Sequence, residues 1–140
     1  MKVDFATVAR LLREANSFLI ASHQGPDGDA IGSMLALGHL LDALGKRVIH
    51  FRCEDSVPQI YQWLSGAERI SSDLQSVPVD LAIIMDVSQK SRLGKIVSTI
   101  PPTTNVLTID HHLDEHPDGD YVLANPTASA TGELVADLFS

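Results

Sequence analysis

The sequence predicts an α/β protein built on a parallel sheet flanked by helices. Stretches with helical apolar spacing alternate along the chain with short, continuous apolar runs. Continuous runs of this length are typical of strands that are buried on both faces, as in parallel sheets. Because helical stretches separate most of these runs, we expect right-handed crossovers between neighbouring strands.

The first part of the chain predicts a helix, a strand and a second helix. Val3–Asn16 carries apolar residues close to helical spacing, and Phe18–Ala21 is a continuous apolar run. The Gly, Pro and Asp residues of Gln24–Gly28 then predict a loop. Asp29–Leu44 is a broadly apolar helical stretch that ends beside Gly45, a residue favoured at helix C-terminal caps.

The middle of the chain predicts two further strands. Arg47–Phe51 reads as the second strand, and Leu81–Met85 as the third, ending at Asp86. The pattern between residues 53 and 78 is less clear. Four apolar residues there are expected to pack under a short helix: Ile60, Tyr61, Trp63 and Leu64.

The last part of the chain continues the alternation. Gln89–Val97 predicts a short helix, and Asn105–Ile109 a fourth strand that ends at Asp110. Tyr121–Leu123 is expected to form a fifth strand at the sheet edge, and Ala130–Phe139 a final helix.

The composition excludes several functional classes. The 140 residues are 44% hydrophobic and 20% charged, which predicts one packed, soluble domain over residues 1–140. No apolar run approaches the ~20 residues of a membrane helix. Since the start also lacks a signal-peptide pattern, we expect a cytoplasmic protein with no membrane partner. The net charge of −8 disfavours a broad face for duplex nucleic acid. The single cysteine, Cys53, excludes a disulfide framework and is expected to be a packing residue.

Acids and histidines follow three of the predicted strands. In parallel α/β sheets ligands bind beyond the carboxyl ends of the strands, so these side chains are expected to share a crevice. Carboxylate and imidazole ligands together suit Mn²⁺, Fe²⁺, Co²⁺ or Zn²⁺. Two such cations about 3.5–4 Å apart, bridged by one carboxylate, would relieve the repulsion among the acids and create a site for a hydroxide nucleophile. The residues are His23, Asp27, Asp29, Asp86, Asp110, His111 and His112.

Each of these residues also has an ordinary structural explanation. Asp29 fits the N-cap of the helix that follows it, and Asp27 fits a Pro-Asp-Gly turn. Asp86 fits a helix cap or an Asx-turn, and His23 fits a strand-end histidine with satisfied hydrogen bonds. Residues 110–112 fit a polar loop. Their coincidence at three strand ends favours a metal centre.

These residues resemble the motifs of the DHH phosphoesterase family. The family's first motif, His-x-x-x-Asp-x-Asp, matches His23–Ser33, its strand-end aspartate matches Asp86, and its Asp-His-His motif matches residues 110–112. Pro126–Leu134 is similar to the segment that follows the third motif. The resemblance is greatest to oligoribonucleases that double as 3′,5′-bisphosphate nucleotide (pAp) phosphatases. It implies a Rossmann-like parallel sheet and a manganese-dependent hydrolase.

The resemblance implies two Mn²⁺ sites that share Asp86 as a bridge. The first cation would be held by His23, Asp27 and Asp86. The second would be held by Asp29, Asp86 and His111. Backbone amides at the start of the helix predicted over Asp29–Leu44 would bind a phosphate oxygen.

The resemblance also implies roles around the substrate. His112 would face the scissile phosphate and either stabilise its charge or assist a proton transfer. Asp110 would orient His111 and fix its tautomer. Arg92 or Lys90, shortly after Asp86 in sequence, would contact a phosphate by proximity.

The family's fourth motif and its C-terminal substrate-binding domain find no match. The fourth motif normally supplies an aspartate to the second metal site, and Asp137, inside the last helical pattern, is a poor substitute. We therefore expect a truncated DHH domain whose second metal site is incomplete. We also expect an open sheet edge, which would favour association into a homodimer.

The sequence favours hydrolysis of a small nucleotide, such as pAp, or of short single-stranded RNA or DNA by metal-activated hydroxide. Hydrolysis of a cyclic dinucleotide or of pyrophosphate stays open within the same class. A catalytically idle metal- or nucleotide-binding module is the alternative from another class. A dinucleotide-binding domain is disfavoured because the G-x-G-x-x-G spacing is absent.

We expect the chain to bind one Mn²⁺ more tightly than a second, because the second set of ligands lacks one carboxylate. Calorimetric titration with Mn²⁺ would measure both affinities. Two equally tight sites would contradict this expectation.

Overall fold

The computed structural model describes residues 1–140 as one six-stranded parallel sheet with α-helices on one face and a 3₁₀ segment on the other. The strand order is β3-β2-β1-β4-β5-β6, and every pair of neighbours is parallel. This confirms the predicted α/β class. In chain order the elements are α1 (Phe5–Glu14), β1 (Ser17–Ser22), α2 (Gly28–Ala43), β2 (Val48–Arg52), β3 (Ile70–Ser71), β4 (Leu81–Met85), β5 (Asn105–Asp110), β6 (Tyr121–Ala124) and α3 (Thr131–Leu138).

The two central strands, β1 and β4, are buried on both faces. Phe18 and Ile20 pack into the larger apolar cluster, which includes Leu41 of α2. Leu19 points to the opposite face and packs with Ile96 from the 3₁₀ segment Lys90–Thr99. Burial on both faces explains why these strands are continuous apolar runs rather than alternating ones. None of the helices combines the length and the apolar character that crossing a membrane requires.

The sheet edge at β6 is paired with the start of the chain. Lys2 forms a parallel bridge with Val122, and the N–H of Val3 donates to the carbonyl of Val122 at 2.9 Å. Helix α1 therefore begins at Phe5 rather than at Val3, and the side chain of Asp4 caps it by accepting from the N–H of Thr7. The expected open edge is thus covered at this strand, which removes the argument for a homodimer through it.

The segment between β2 and β4 differs from the expectation. Trp63 and Ile60 are 78% and 69% exposed, so the prediction that they pack under a helix was wrong for both. Tyr61 and Leu64 do pack, partly buried, against the outer side of α2. The segment contains short 3₁₀ turns and the two-residue strand β3, which is too short to leave a periodic signal.

The predicted helix at Gln89–Val97 is a 3₁₀ segment, Lys90–Thr99, with a break at Gly94. The backbone of Gly94 has φ 64° and ψ −138°, which a residue with a side chain rarely adopts. A Cβ at this position would also lie 2.5 Å from the Glu54 carboxylate. The close approach of Glu54 therefore accounts for glycine here.

Helix α2 approaches β2 closely enough to require glycine at position 38. A Cβ there would lie 2.3 Å from Cζ of Phe51, whose ring is fully buried. Gly32, on the same helix, has open space around the equivalent position. Gly38 and Gly32 thus differ in the room available to a side chain.

We expect Gly38→Ala to lower the free energy of unfolding by about 1–3 kcal/mol, because the new Cβ would overlap the buried ring of Phe51. Gly32→Ala should raise it by up to about 1 kcal/mol, because alanine favours helix and meets no neighbour. Urea unfolding of both variants measures the difference. Equal effects would contradict the close packing of α2 on β2.

Candidate metal centre

The carboxyl ends of β1, β4 and β5 lie side by side in the sheet. Ser22 pairs with Met85, and Met85 pairs with Ile109, so the three strands end in register. His23 and Asp86 directly follow two of these strands, and Asp110 closes the third. The register therefore brings together side chains from three loops that are far apart in sequence.

Asp86 lies at the centre, where side chains from the other two loops approach its carboxylate. Its side chain is almost fully buried, and its two oxygens face different neighbours. Oδ2 lies 3.3 Å from Nε2 of His23, while Oδ1 lies 3.6 Å from Nε2 of His111 and 3.9 Å from Nδ1 of His112. Oδ1 also accepts a hydrogen bond from the hydroxyl of Thr131 at 3.0 Å.

The backbone of Asp86 adopts a conformation that is unfavourable for a residue with a side chain. Its φ is 59°, and no other residue except glycine has a positive φ in this chain. Such a conformation costs on the order of 1–3 kcal/mol and persists only where the surroundings hold it. Here the N–H of Asp86 donates to the carbonyl of Ile109 at 2.9 Å, and the carboxylate is held on both sides. Strain at a buried acid points to a functional role.

The first group of possible ligands consists of His23, Asp27 and Asp86, whose ligand atoms lie within 4.8 Å of one another. Nδ1 of His23 lies 2.7 Å from the carbonyl oxygen of Gln24. Since a carbonyl only accepts, Nδ1 carries the proton, and Nε2 is directed at the carboxylates of Asp86 and Asp27. That direction suits a cation between the three side chains. Asp27 also caps α2 by accepting from the N–H of Ala30 at 2.9 Å.

The second group consists of Asp86, His111 and His112, again within 4.8 Å. Asp29 adjoins this group, because its Oδ2 lies 3.4 Å from Nε2 of His111. Nε2 of His111 thus faces two carboxylates, those of Asp29 and Asp86. The sequence-based set of Asp29, Asp86 and His111 is brought together, with His112 beside it. Imidazole and carboxylate donors fit a divalent transition metal at both groups.

Asp110 has a different partner from the one expected. It binds Nδ1 of His112 at 2.6 Å rather than orienting His111, so that expectation is corrected. Asp110 is almost fully buried, and its second oxygen has no hydrogen-bond partner. A buried carboxylate at this distance holds the proton on Nδ1 of His112. Because His112 is half-exposed, its Nε2 is the nitrogen available to a substrate.

The electrostatics of the centre also favour a cation. Burial raises the pKa of Asp86, and the nearby charge of Asp29 adds to this effect. The hydrogen bond to Asp86 raises the pKa of His23 against the opposing effect of burial. Burial would raise the pKa of Asp29 too, but the backbone N–H groups of Gly132 and Thr131 outweigh it and lower the pKa. Two adjacent carboxylates at a buried position are stabilised when a divalent cation offsets their charge.

The loop that carries His23 is held by Glu54 and Asp55, which the sequence did not single out, and by the backbone of Arg92. The Gln24 side-chain amide donates to Glu54, and the N–H of Gly25 donates to Asp55 at 2.7 Å. The N–H of Gln24 donates to the backbone carbonyl of Arg92 at 2.8 Å. Arg92 is therefore next to this loop, with an exposed side chain, but its contact with the loop is through the backbone. The only sequence signal for Glu54 and Asp55 was their position after β2.

Comparisons with known proteins find a matching family and several relatives. A model described as the DHH family, N-terminal domain, matches residues 17–140. The chain is 32% identical over 133 residues to the bifunctional oligoribonuclease and PAP phosphatase NrnA of Thermus thermophilus, covering 94% of this chain and 39% of that protein. It is 26% identical over 154 residues to the cyclic-di-AMP phosphodiesterase PdeA of Listeria monocytogenes, covering 99% of this chain and 23% of that protein.

A solved structure shows the same fold. The crystal structure of an exopolyphosphatase-related protein from Bacteroides fragilis superposes with a TM-score of 0.84 at 24% sequence identity. The match covers 96% of this chain and 42% of that one. The chain thus spans less than half the length of each of these proteins.

Cys53, the only thiol in the chain, is expected to be unreactive in the folded protein. Its side chain is fully buried with Sγ 3.6 Å from Sδ of Met34, and burial raises the pKa of the thiol to about 12. Ellman's reagent at mildly alkaline pH should therefore label the chain only after denaturation in guanidinium chloride. Rapid labelling of the folded protein would show that Cys53 is accessible.

Proposed function

The chain belongs to the DHH family as an N-terminal domain, and on that premise we propose that it is the catalytic domain of a manganese-dependent phosphoesterase acting on small nucleotides or short oligoribonucleotides. The observation that carries the proposal is the shared position of Asp86. One buried carboxylate lies in both groups of possible ligands, which is the arrangement that a two-metal site needs.

The chain's own residues divide into two ligand sets. His23, Asp27 and Asp86 would hold one cation, and Asp29, Asp86 and His111 would hold the other. When bound, the cations would supply positive charge to the phosphate and lower the pKa of a nearby water. The protein's part is to fix the ligands in place before the substrate arrives.

His112 is suited to act on the substrate rather than on a cation. Asp110 holds the proton on Nδ1, and the side chain of His112 is half-exposed, so Nε2 would be the nitrogen that meets a substrate. Protonated, that nitrogen would donate to a phosphate oxygen and stabilise the charge that develops there. Neutral, it would accept a proton from an attacking water.

The start of α2 offers a further contact for phosphate. The first intrahelical bond runs from the N–H of Ile31 to the carbonyl of Asp27, and the side chain of Asp27 takes the N–H of Ala30. The N–H groups of Gly28 and Asp29 precede these bonds and are available to a phosphate oxygen.

The substrate class is supported by charge and by the relatives. A net charge of −8 opposes binding of long duplexes, whose affinity depends on many basic contacts. The relatives named above act on pAp, oligoribonucleotides or cyclic-di-AMP. Each of these molecules is a small nucleotide with a phosphoester bond. The match with the cyclic-di-AMP phosphodiesterase, over 99% of this chain, makes a cyclic dinucleotide the second candidate substrate.

We expect the protein to release phosphate from pAp, and mononucleotides from a short 5′-phosphorylated RNA, with Mn²⁺ but not with EDTA. Asp86→Asn should lower the rate by at least about 100-fold, because an amide has no negative charge and offers one oxygen where the two cations would share both oxygens of a carboxylate. Asp80→Asn is the matched control. Asp80 lies at the amino end of β4, away from the carboxyl ends that carry the site, and the substituted amide oxygen keeps an acceptor for the N–H of Asn16.

Each outcome of this assay is informative. Equal rates for Asp86→Asn and Asp80→Asn would contradict the two-metal site, as would turnover in EDTA. Turnover of cyclic-di-AMP alone would favour the second candidate substrate. Mn²⁺ binding without turnover of any of these nucleotides would favour a catalytically idle binding module.

A further inference from the structure

The first turn of α3 contacts two of the candidate metal ligands, although the sequence assigned this helix no role. The hydroxyl of Thr131 donates to Oδ1 of Asp86 at 3.0 Å. The backbone N–H groups of Thr131 and Gly132 donate to the two carboxylate oxygens of Asp29, each at 3.0 Å. Three hydrogen bonds thus join one helix end to two acids that are distant in sequence.

We propose that Thr131 is a positioning residue that orients the carboxylate of Asp86 between the two cations. This inference rests on the function proposed above. The Thr131 hydroxyl has one proton, and it is donated to Oδ1, on the side of His111. Oδ2 is thereby directed to the opposite side, towards His23. Rotation of the carboxylate about its Cβ–Cγ bond would break this hydrogen bond.

The surroundings of Thr131 argue against a purely local role for its hydroxyl. Thr131 is fully buried, so an unpaired hydroxyl there would be costly. Threonine hydroxyls near helix starts often bond to their own helix, and the residue before α3, Ala130, supplies no side-chain cap. The hydroxyl nevertheless bonds to Asp86, and the cap of α3 comes instead from Asp29.

Asp29 ties the same helix to the second group of ligands. Both of its oxygens accept from the N-terminal N–H groups of α3, where the helix dipole favours negative charge. Oδ2 also lies 3.4 Å from Nε2 of His111. The end of α3 therefore fixes the distance between Asp29 and Asp86, which are both in the proposed second ligand set.

The test compares three threonine variants by Mn²⁺ titration calorimetry. Thr131→Val keeps the shape and removes the hydroxyl, and Thr131→Ser keeps the hydroxyl. Thr99→Val is the matched control, because Thr99 is also fully buried and its hydroxyl donates to the carbonyl of Ile96, outside the site. Thr131→Val should weaken Mn²⁺ binding by about 10–100-fold, and the other two variants should stay within about threefold of the wild-type protein.

The outcomes separate this inference from the proposed function. A wild-type protein that binds no Mn²⁺ would overturn both. A wild-type protein that binds Mn²⁺, with Thr131→Val equal to it, would overturn only the role of Thr131. An equal loss in Thr131→Val and Thr131→Ser would also overturn it, since packing would then explain the effect. Circular dichroism checks folding, and Thr131→Ala replaces the valine variant if that variant does not fold.

Discussion

Burial of the Asp86 carboxylate is the constraint on which the rest of the site depends. An acid in this position is removed from water, lies beside a second carboxylate and has a backbone conformation that glycine usually occupies. The hydrogen bond from Thr131 and the 3.3 Å contact with Nε2 of His23 hold this carboxylate in place. They also direct its two oxygens towards opposite sides. A divalent cation on each side would compensate for the burial, because it neutralises the charge that burial disfavours.

The loops around Asp86 are held to one another by further acids. Asp114 accepts from the hydroxyl of Ser88 at 2.6 Å and from the side chain of Gln89 at 2.8 Å, which joins the loop after β4 to the loop after β5. These bonds lower the pKa of Asp114 to about 2, so it stays charged at neutral pH. Glu54 likewise joins the loop after β2 to the loop after β1. Such ties between loops let ligands from three strands keep one geometry without substrate.

The parts of the fold that were predictable from sequence are those with a local signal. Continuous apolar runs located the main strands, and the rule that ligands bind at their carboxyl ends located the acids and histidines. The failures concern contacts that no local pattern encodes. Nothing near Asp110 in the sequence distinguishes His111 from His112 as its partner, since both follow it within two residues. The pairing of Val3 with β6 joins the start of the chain to Val122, which is far from it in sequence, so no local pattern predicts it.

The role of Thr131 shows the same limit more clearly. Its hydrogen bond to Asp86 joins residues 45 positions apart, and the bonds from α3 to Asp29 span more than 100 positions. Within its own helix, Thr131 reads as an ordinary residue of the first turn. Only packing of α3 against α2 brings its hydroxyl to the centre. Candidate metal ligands can be selected by residue type and strand position, but the groups that orient them depend on how the helices pack.

The arrangement of the residues in the candidate metal centre indicates which part of a substrate they would contact. In the proposed function the carboxylates, His23 and His111 would hold cations, and His112 and the start of α2 would contact phosphate oxygens. These contacts depend on phosphate charge, which pAp, oligoribonucleotides and cyclic-di-AMP have in common. Relatives named for these different substrates match this chain over only 39% and 23% of their own lengths. The proposed site would therefore act on the phosphoester bond itself, and discrimination between nucleotides would require contacts other than those that build this centre.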